Sequence, residues 1–232
     1  KSLCCQNGVT EKREFSMLVC ETKLSNLKLS HQKISSQQSA IIMVVFWLMI
    51  FSLSACSADR IAIKSSISIL KNTALALNEE EDPGIAEKAI VPQLKMLEGM
   101  IKSDPGNREL LLLASRGFCS YSFSFVENDD RERAKIFYRR GLDYGLQILM
   151  ADKSFADVLK KGGEAFRRAL HNIDNQNLPS LFWTSYCWGS LINLNRNLPE
   201  ALMALPKVEE MMMRVLELNE GYYFSGAHLF FG

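Results

Sequence analysis

The chain has 232 residues, 47% hydrophobic and 23% charged, with a formal net charge of +1. That is ordinary globular material for one or two domains, and it excludes a disordered, collagen-like or polytopic membrane chain. Residues 1–55 hold six Lys/Arg against three Asp/Glu, leaving 21 against 23 from Cys56 onward, so the body is nearly neutral and shows no basic face for nucleic acid.

The first feature along the chain is the run "MVVFWLMIFSLSACSADR" at 43–60. No charge occurs from Ser39 to Ser57, but the strongly apolar part, Ala40 to Leu53, is shorter than the ~20 residues that cross a bilayer comfortably. Lys23, Lys28 and Lys33 precede it and small Ser54 and Ala55 end it, the order of an export signal. Leu53-Ser54-Ala55-Cys56 resembles the lipobox of bacterial lipoproteins, in which the cysteine is diacylglycerated and becomes the new amino terminus. Several acyl chains on one residue anchor stably where one does not, so Cys56 is expected to be a lipidation site. A signal anchor, or an ordinary signal peptide ending near a chance cysteine, is the alternative. Residues 1–55 are read as leader and signal peptide and 56–232 as the folded domain. Ser57, not being Asp, favours the outer membrane by analogy with enterobacterial sorting.

After Cys56 the hydrophobic period is helical. Ala134, Phe137, Tyr138, Gly141, Gly145 and Ile148 recur at steps of three and four, as do Phe155, Leu159, Phe166 and Leu170 with one gap. The breakers "SDPGN", "ENDD", "NQNLP" and "NRNLP" separate such segments, and Pro179 and Pro199 suit a helix's first turn. The spacing predicts helices near 58–77, 85–102, 107–126, 130–150, 154–171, 178–194, 198–218 and from 221 onward, with kinks or restarts at Pro92 and Pro206. The acidic run "NEEED" at 78–82 reads as a solvated turn. The fold class is all-α, antiparallel helical hairpins stacked as a tetratricopeptide-like repeat array.

The repeat signal is degenerate. Gly117 and Gly189 lie about two 34-residue repeats apart, and Ala201 follows Gly189 at the small-to-small spacing that brings two hairpin helices close. Any hairpin protein also puts small residues at crossings. The final "GYYFSGAHLFFG" starts a first helix with no second helix to cover it, the pattern of an array cut short.

No P-loop, GxGxxG, HExxH or GxSxG occurs, and neither His171 nor His228 lies near a Cys, Ser or Asp at triad-like spacing. The expectation is a non-enzyme with no catalytic residue, cofactor or metal. Cys119 and Cys187 lack a metal-ligand spacing and suit small core residues, with a bridge between them left open. Aromatic residues on first helices, Phe118, Tyr121 and Phe125, then Trp183, Tyr186 and Trp188, either fill the core or line a groove. Of Met211, Met212 and Met213, at least one must face solvent or a partner.

The stretches "LKMLEGMIKSDPGNRELLLLASRGFCSYSFSFVENDDRERAKIFYRRGLDYGLQIL" at 94–149 and "ALPKVEEMMMRVLELNEGYYFSGAHLFFG" at 204–232 resemble the T-component of tripartite ATP-independent periplasmic (TRAP) transporters, the TatT family. The resemblance implies a lipid-anchored periplasmic protein of tetratricopeptide-like repeats, a homotrimer that associates with a periplasmic solute-binding protein. It also implies a pore for hydrophobic or amphiphilic solutes, for which Tyr121, Phe125, Trp183, Trp188 and Tyr223 become lining candidates. The rival expectation is a generic repeat lipoprotein that scaffolds cell-envelope assembly.

Overall fold

Several helix starts among the described residues are set by short polar caps. In the computed structural model, which describes residues 65–232 together with Met43 and Ile63, helix α1 covers 65–78 and the acidic turn follows it. Asp82 closes that turn by accepting the backbone N–H groups of Gly84 and Ile85 at the start of α2 (Pro83–Ser103). Asn107 does the same for Glu109 and Leu110 in α3 (Arg108–Tyr121), and Asp130 for Arg133 in α4 (Arg131–Leu149). Each of these caps satisfies donors that a helix start leaves unpaired, which is why a polar breaker and a helix start coincide at these three places.

The remaining elements are α5 (Lys153–Lys161), α6 (Gly163–His171), α7 (Leu178–Leu194), α8 (Pro199–Leu202), α9 (Leu205–Asn219) and α10 (Tyr222–Phe231). Pro179 and Pro199 stand in first turns as expected. The described residues are all-α. The lipidation candidate Cys56 and the leader lie outside them.

Three departures from the expected boundaries have local causes. The segment expected as one helix over 154–171 breaks at Gly162 and Gly163, whose φ values of 71° and 74° are the left-handed backbone that glycine adopts without a Cβ penalty. The helix over 107–126 turns from α to a single π turn at Ser122–Val126, where the Glu127 N–H reaches back to the Ser122 carbonyl. Pro92, expected to kink or restart its helix, lies inside an α2 that continues from Pro83 to Ser103.

Packing runs from α2 to α3, from α3 to α4 and from α4 to α7; α7 also meets α3 and α9, while α5 pairs with α6 and α6 with α9. Helix α7 is therefore central, with Leu181, Phe182, Trp183, Cys187 and Ile192 all buried. A helix apolar on nearly every side has to sit inside. Met211 and Met212 are buried against this core and Met213 is 51% exposed, as a run of three on one helix requires.

The close approach of α3, α4 and α7 depends on Gly141 and Gly145. A Cβ on Gly141 would meet both sulfurs of the Cys119–Cys187 disulfide, and one on Gly145 would meet the Thr184 side chain. Gly189, expected to face Ala201, is instead covered by the Phe230 ring of α10. The cysteines read as core residues are indeed fully buried, and they are bonded to each other.

Beside this core, Glu98 of α2 accepts from Lys95, Arg140 and Tyr144. Arg140 also lies over the Phe118 ring, 4.5 Å from its centroid. Burial acts to raise the Glu98 carboxyl, but the hydrogen bonds from Lys95 and Arg140, the Arg140 charge and the Tyr144 hydroxyl outweigh it and hold it below its ordinary 4.5. A lowered carboxyl stabilises the fold above its unfolded value, and that contribution is lost as pH falls through the lower folded value. Arg140→Met is expected to cost about 1–2 kcal/mol at pH 7, near the low end for a charged hydrogen bond because the Arg140 side chain stays 34% exposed. Urea unfolding at pH 7 and pH 3 checks this: the difference between wild type and variant should shrink at the lower pH.

Candidate functional site

Between Leu110 and Val126 the only charged side chain is Arg116, in a stretch that is otherwise apolar, aromatic or small. On α3 it stands one position before Gly117, where α2 comes close enough that a Cβ would meet Leu94 at 2.7 Å. Here α1, α2 and α3 enclose a recess of about 50 Å³ lined by Leu77, Ile90, Leu94, Leu97 and Leu113, with Arg116 and Ser120 among its polar groups. Gln93, also in the lining, donates to the Leu70 carbonyl and so ties α2 to α1.

The other side of Arg116 is aromatic. Its guanidinium carbon lies 5.2 Å from the Tyr223 ring centroid and 5.9 Å from that of Trp183, within cation–π range. Trp183 and Tyr223 meet edge to face at 4.6 Å, and Phe182 packs on both Tyr222 and Tyr223. The chain delivers these tyrosines through an unusual turn: Tyr223, Phe224 and Ser225 have φ of 45°, 57° and 58°. Left-handed backbone costs an L-residue about 1–2 kcal/mol, so the packing of both tyrosines has to hold it in place. Burial raises the Tyr222 phenol above its ordinary value, against the nearby Arg116 charge and the Trp183 indole N–H, which lower it.

The five aromatic candidates thus fall into separate places. Trp183, 2% exposed, and half-buried Tyr223 form one cluster beside Arg116. Tyr121, 3% exposed, meets Phe125 at 6.0 Å and Phe137 of α4 at 5.1 Å, so these rings brace α3 from its α4 side. Trp188 is half-buried against the core and joins neither cluster. Arg116 and the recess are not among the residues that sequence reasoning singles out. A single charge in the apolar stretch from Leu110 to Val126 is the available signal for the first; the recess has none, since it is made by three helices.

A larger groove of about 470 Å³ lies between α7, α8, α9 and α10, with Tyr186, Asn193, Arg196, Leu205 and Phe230 in its lining. Burial, then the Glu127 charge, pushes the Tyr186 phenol up to about 12. Neither His171 nor His228 enters the Arg116 site; each pairs at the surface, with Glu217 and Glu220 respectively.

An apolar recess, a cation and aromatic faces on an all-helical frame are equipment for holding a small molecule. The family model described as TRAP transporter T-component (TAtT) matches residues 79–232, more than half of the chain, and the chain belongs to that family. It is thus an accessory component of a TRAP transport system in the bacterial envelope, in a family whose role is transport and not catalysis. Comparison with curated proteins returns no match.

Proposed function

We propose that this T-component is a periplasmic lipoprotein that docks the solute-binding protein of its TRAP system and holds an apolar solute during transfer. The observation that carries the reading is the recess between α1, α2 and α3, joined through Arg116 to Trp183 and Tyr223, in a chain of this family. Residues 1–55 serve as leader and signal, Cys56 takes the lipid, and the helices that follow act as a tetratricopeptide-like array in a homotrimer. The Cys119–Cys187 bridge supports an exported chain, because such bonds persist in oxidising compartments.

In this reading Trp183 and Tyr223 border the solute, Tyr121 and Phe125 stiffen the helix that carries Arg116, and Trp188 belongs to a continuation of the path. The test is an affinity pull-down from periplasmic extract with the lipidated chain, followed by mass spectrometry. A periplasmic solute-binding protein is expected among the partners. Recovery of barrel-assembly or wall-synthesis proteins without one would replace this reading with the envelope scaffold.

A further inference from the structure

We propose that the turn from Tyr222 to Ser225 is a gate with two states: left-handed and closed in this structure, and right-handed and open, with Tyr223 withdrawn from Trp183 and Arg116. The inference goes beyond solute holding and does not need it, since it concerns how the chain covers these two side chains.

Its basis is the handedness of three consecutive residues. Tyr223, Phe224 and Ser225 have φ of 45°, 57° and 58° with ψ of 64°, 36° and 35°, so α10 opens on a left-handed turn. None of the three is Gly, Asn or Asp, the residues that enter this region at low cost, and even those ordinarily do so singly. The backbone of the turn contributes little to holding it. The Ser225 N–H reaches the Gly221 carbonyl at 3.4 Å, a long hydrogen bond.

The restraint comes from the rings. Tyr223 meets Trp183 edge to face at 4.6 Å, and the Arg116 guanidinium lies 5.2 Å from the Tyr223 centroid. Tyr222 packs on Phe182 at 5.2 Å, and its phenol oxygen accepts the Trp183 indole N–H. Past the turn, Gly226 lies against the Phe182 ring and Phe230 covers Gly189, which keeps α10 on α7. The strained turn is thus clamped on both sides, while Phe224 between the clamps is 82% exposed. Strain that persists only because neighbours over-determine it collects at clamps and switch regions. Here the contact that opposes relaxation of the turn is also the cover on Arg116, so releasing one releases the other.

The test is fluorine NMR relaxation dispersion on the full chain labelled with fluorotryptophan, which reads exchange on the μs–ms scale of such gates. The Trp183 resonance is assigned by elimination, with Trp47→Phe and Trp188→Phe. Exchange is expected at Trp183 in the wild type. Phe224→Gly should favour the closed turn about tenfold and suppress that exchange, because glycine carries no left-handed penalty and the exposed ring contributes little packing. Phe224→Val should populate the open turn and strengthen the exchange, since a β-branched residue is least at home at positive φ. Absence of exchange in both the wild type and Phe224→Val would overturn the proposal and leave a static strained turn. So would a shift of the exchange in the same direction by the two variants. Thermal unfolding gives an independent reading: Phe224→Gly should raise the Tm, whereas a lowered Tm, the effect of glycine in a right-handed turn, would overturn the proposal.

Discussion

Replacing Cys119 and Cys187 together by alanine is expected to lower the unfolding free energy by about 4 kcal/mol, the loop-closure entropy for the 68-residue separation that the bond spans. The two Cα atoms lie 5.6 Å apart, an ordinary spacing for a bridge. With an m-value of about 2 kcal/mol per molar urea, the midpoint should fall by about 2 M. The bond links α3 to α7, and both cysteines are fully buried, so reductant should act only on the unfolded chain. Wild type unfolded in urea with dithiothreitol should therefore reproduce the midpoint of the double variant. A loss below about 1 kcal/mol would show that α3 and α7 hold together without the bond.

The second large effect is steric. Gly141→Ala is expected to destabilise by about 2–3 kcal/mol, although alanine exceeds glycine in helix propensity by about 1 kcal/mol. The added methyl would meet the Cys119 sulfur, the Cys187 sulfur at 2.9 Å and the Ser115 carbonyl at 3.0 Å. None of these is the free end of a flexible side chain. The sulfurs are locked to each other and the carbonyl belongs to α3, so the clash has to be relieved by separating helices. Gly99 is the control: it is also helical, and nothing lies within 4 Å of where its methyl would stand, so Gly99→Ala should stabilise by about 0.5–1 kcal/mol. In the background lacking both cysteines, the cost of Gly141→Ala should fall, because residues in contact do not act additively. Thermal or urea unfolding of the four proteins measures that coupling. An unchanged cost would place the strain at the Ser115 carbonyl alone.

Gly141 illustrates what could be read in advance. Its place on the apolar stripe of α4 follows from spacing, but the sulfurs that oppose it come from two other helices. Arg116 is a similar case. Its isolation in "LLLLASRGFCSYSFSFV" is visible in the chain, whereas its ring partners lie 67 and 107 positions further on. Trp183 and Tyr223 could be named as candidates, yet nothing local says that they meet each other and that Tyr121 turns to α4 instead.

The features legible along the chain were the local ones: the helices, the prolines in first turns, the solvated acidic turn, and enough of the family's motifs to identify it. These depend on residues within a few positions of one another, where side-chain chemistry and period act directly on the backbone. It took the assembled helices to bond Cys119 to Cys187, to cover Gly189 with Phe230, to carry α4 past α5 and α6 to α7, and to leave a recess beside Arg116. Each of those depends on which distant surfaces exclude water together, and burial is a property of the packed helices rather than of any one segment.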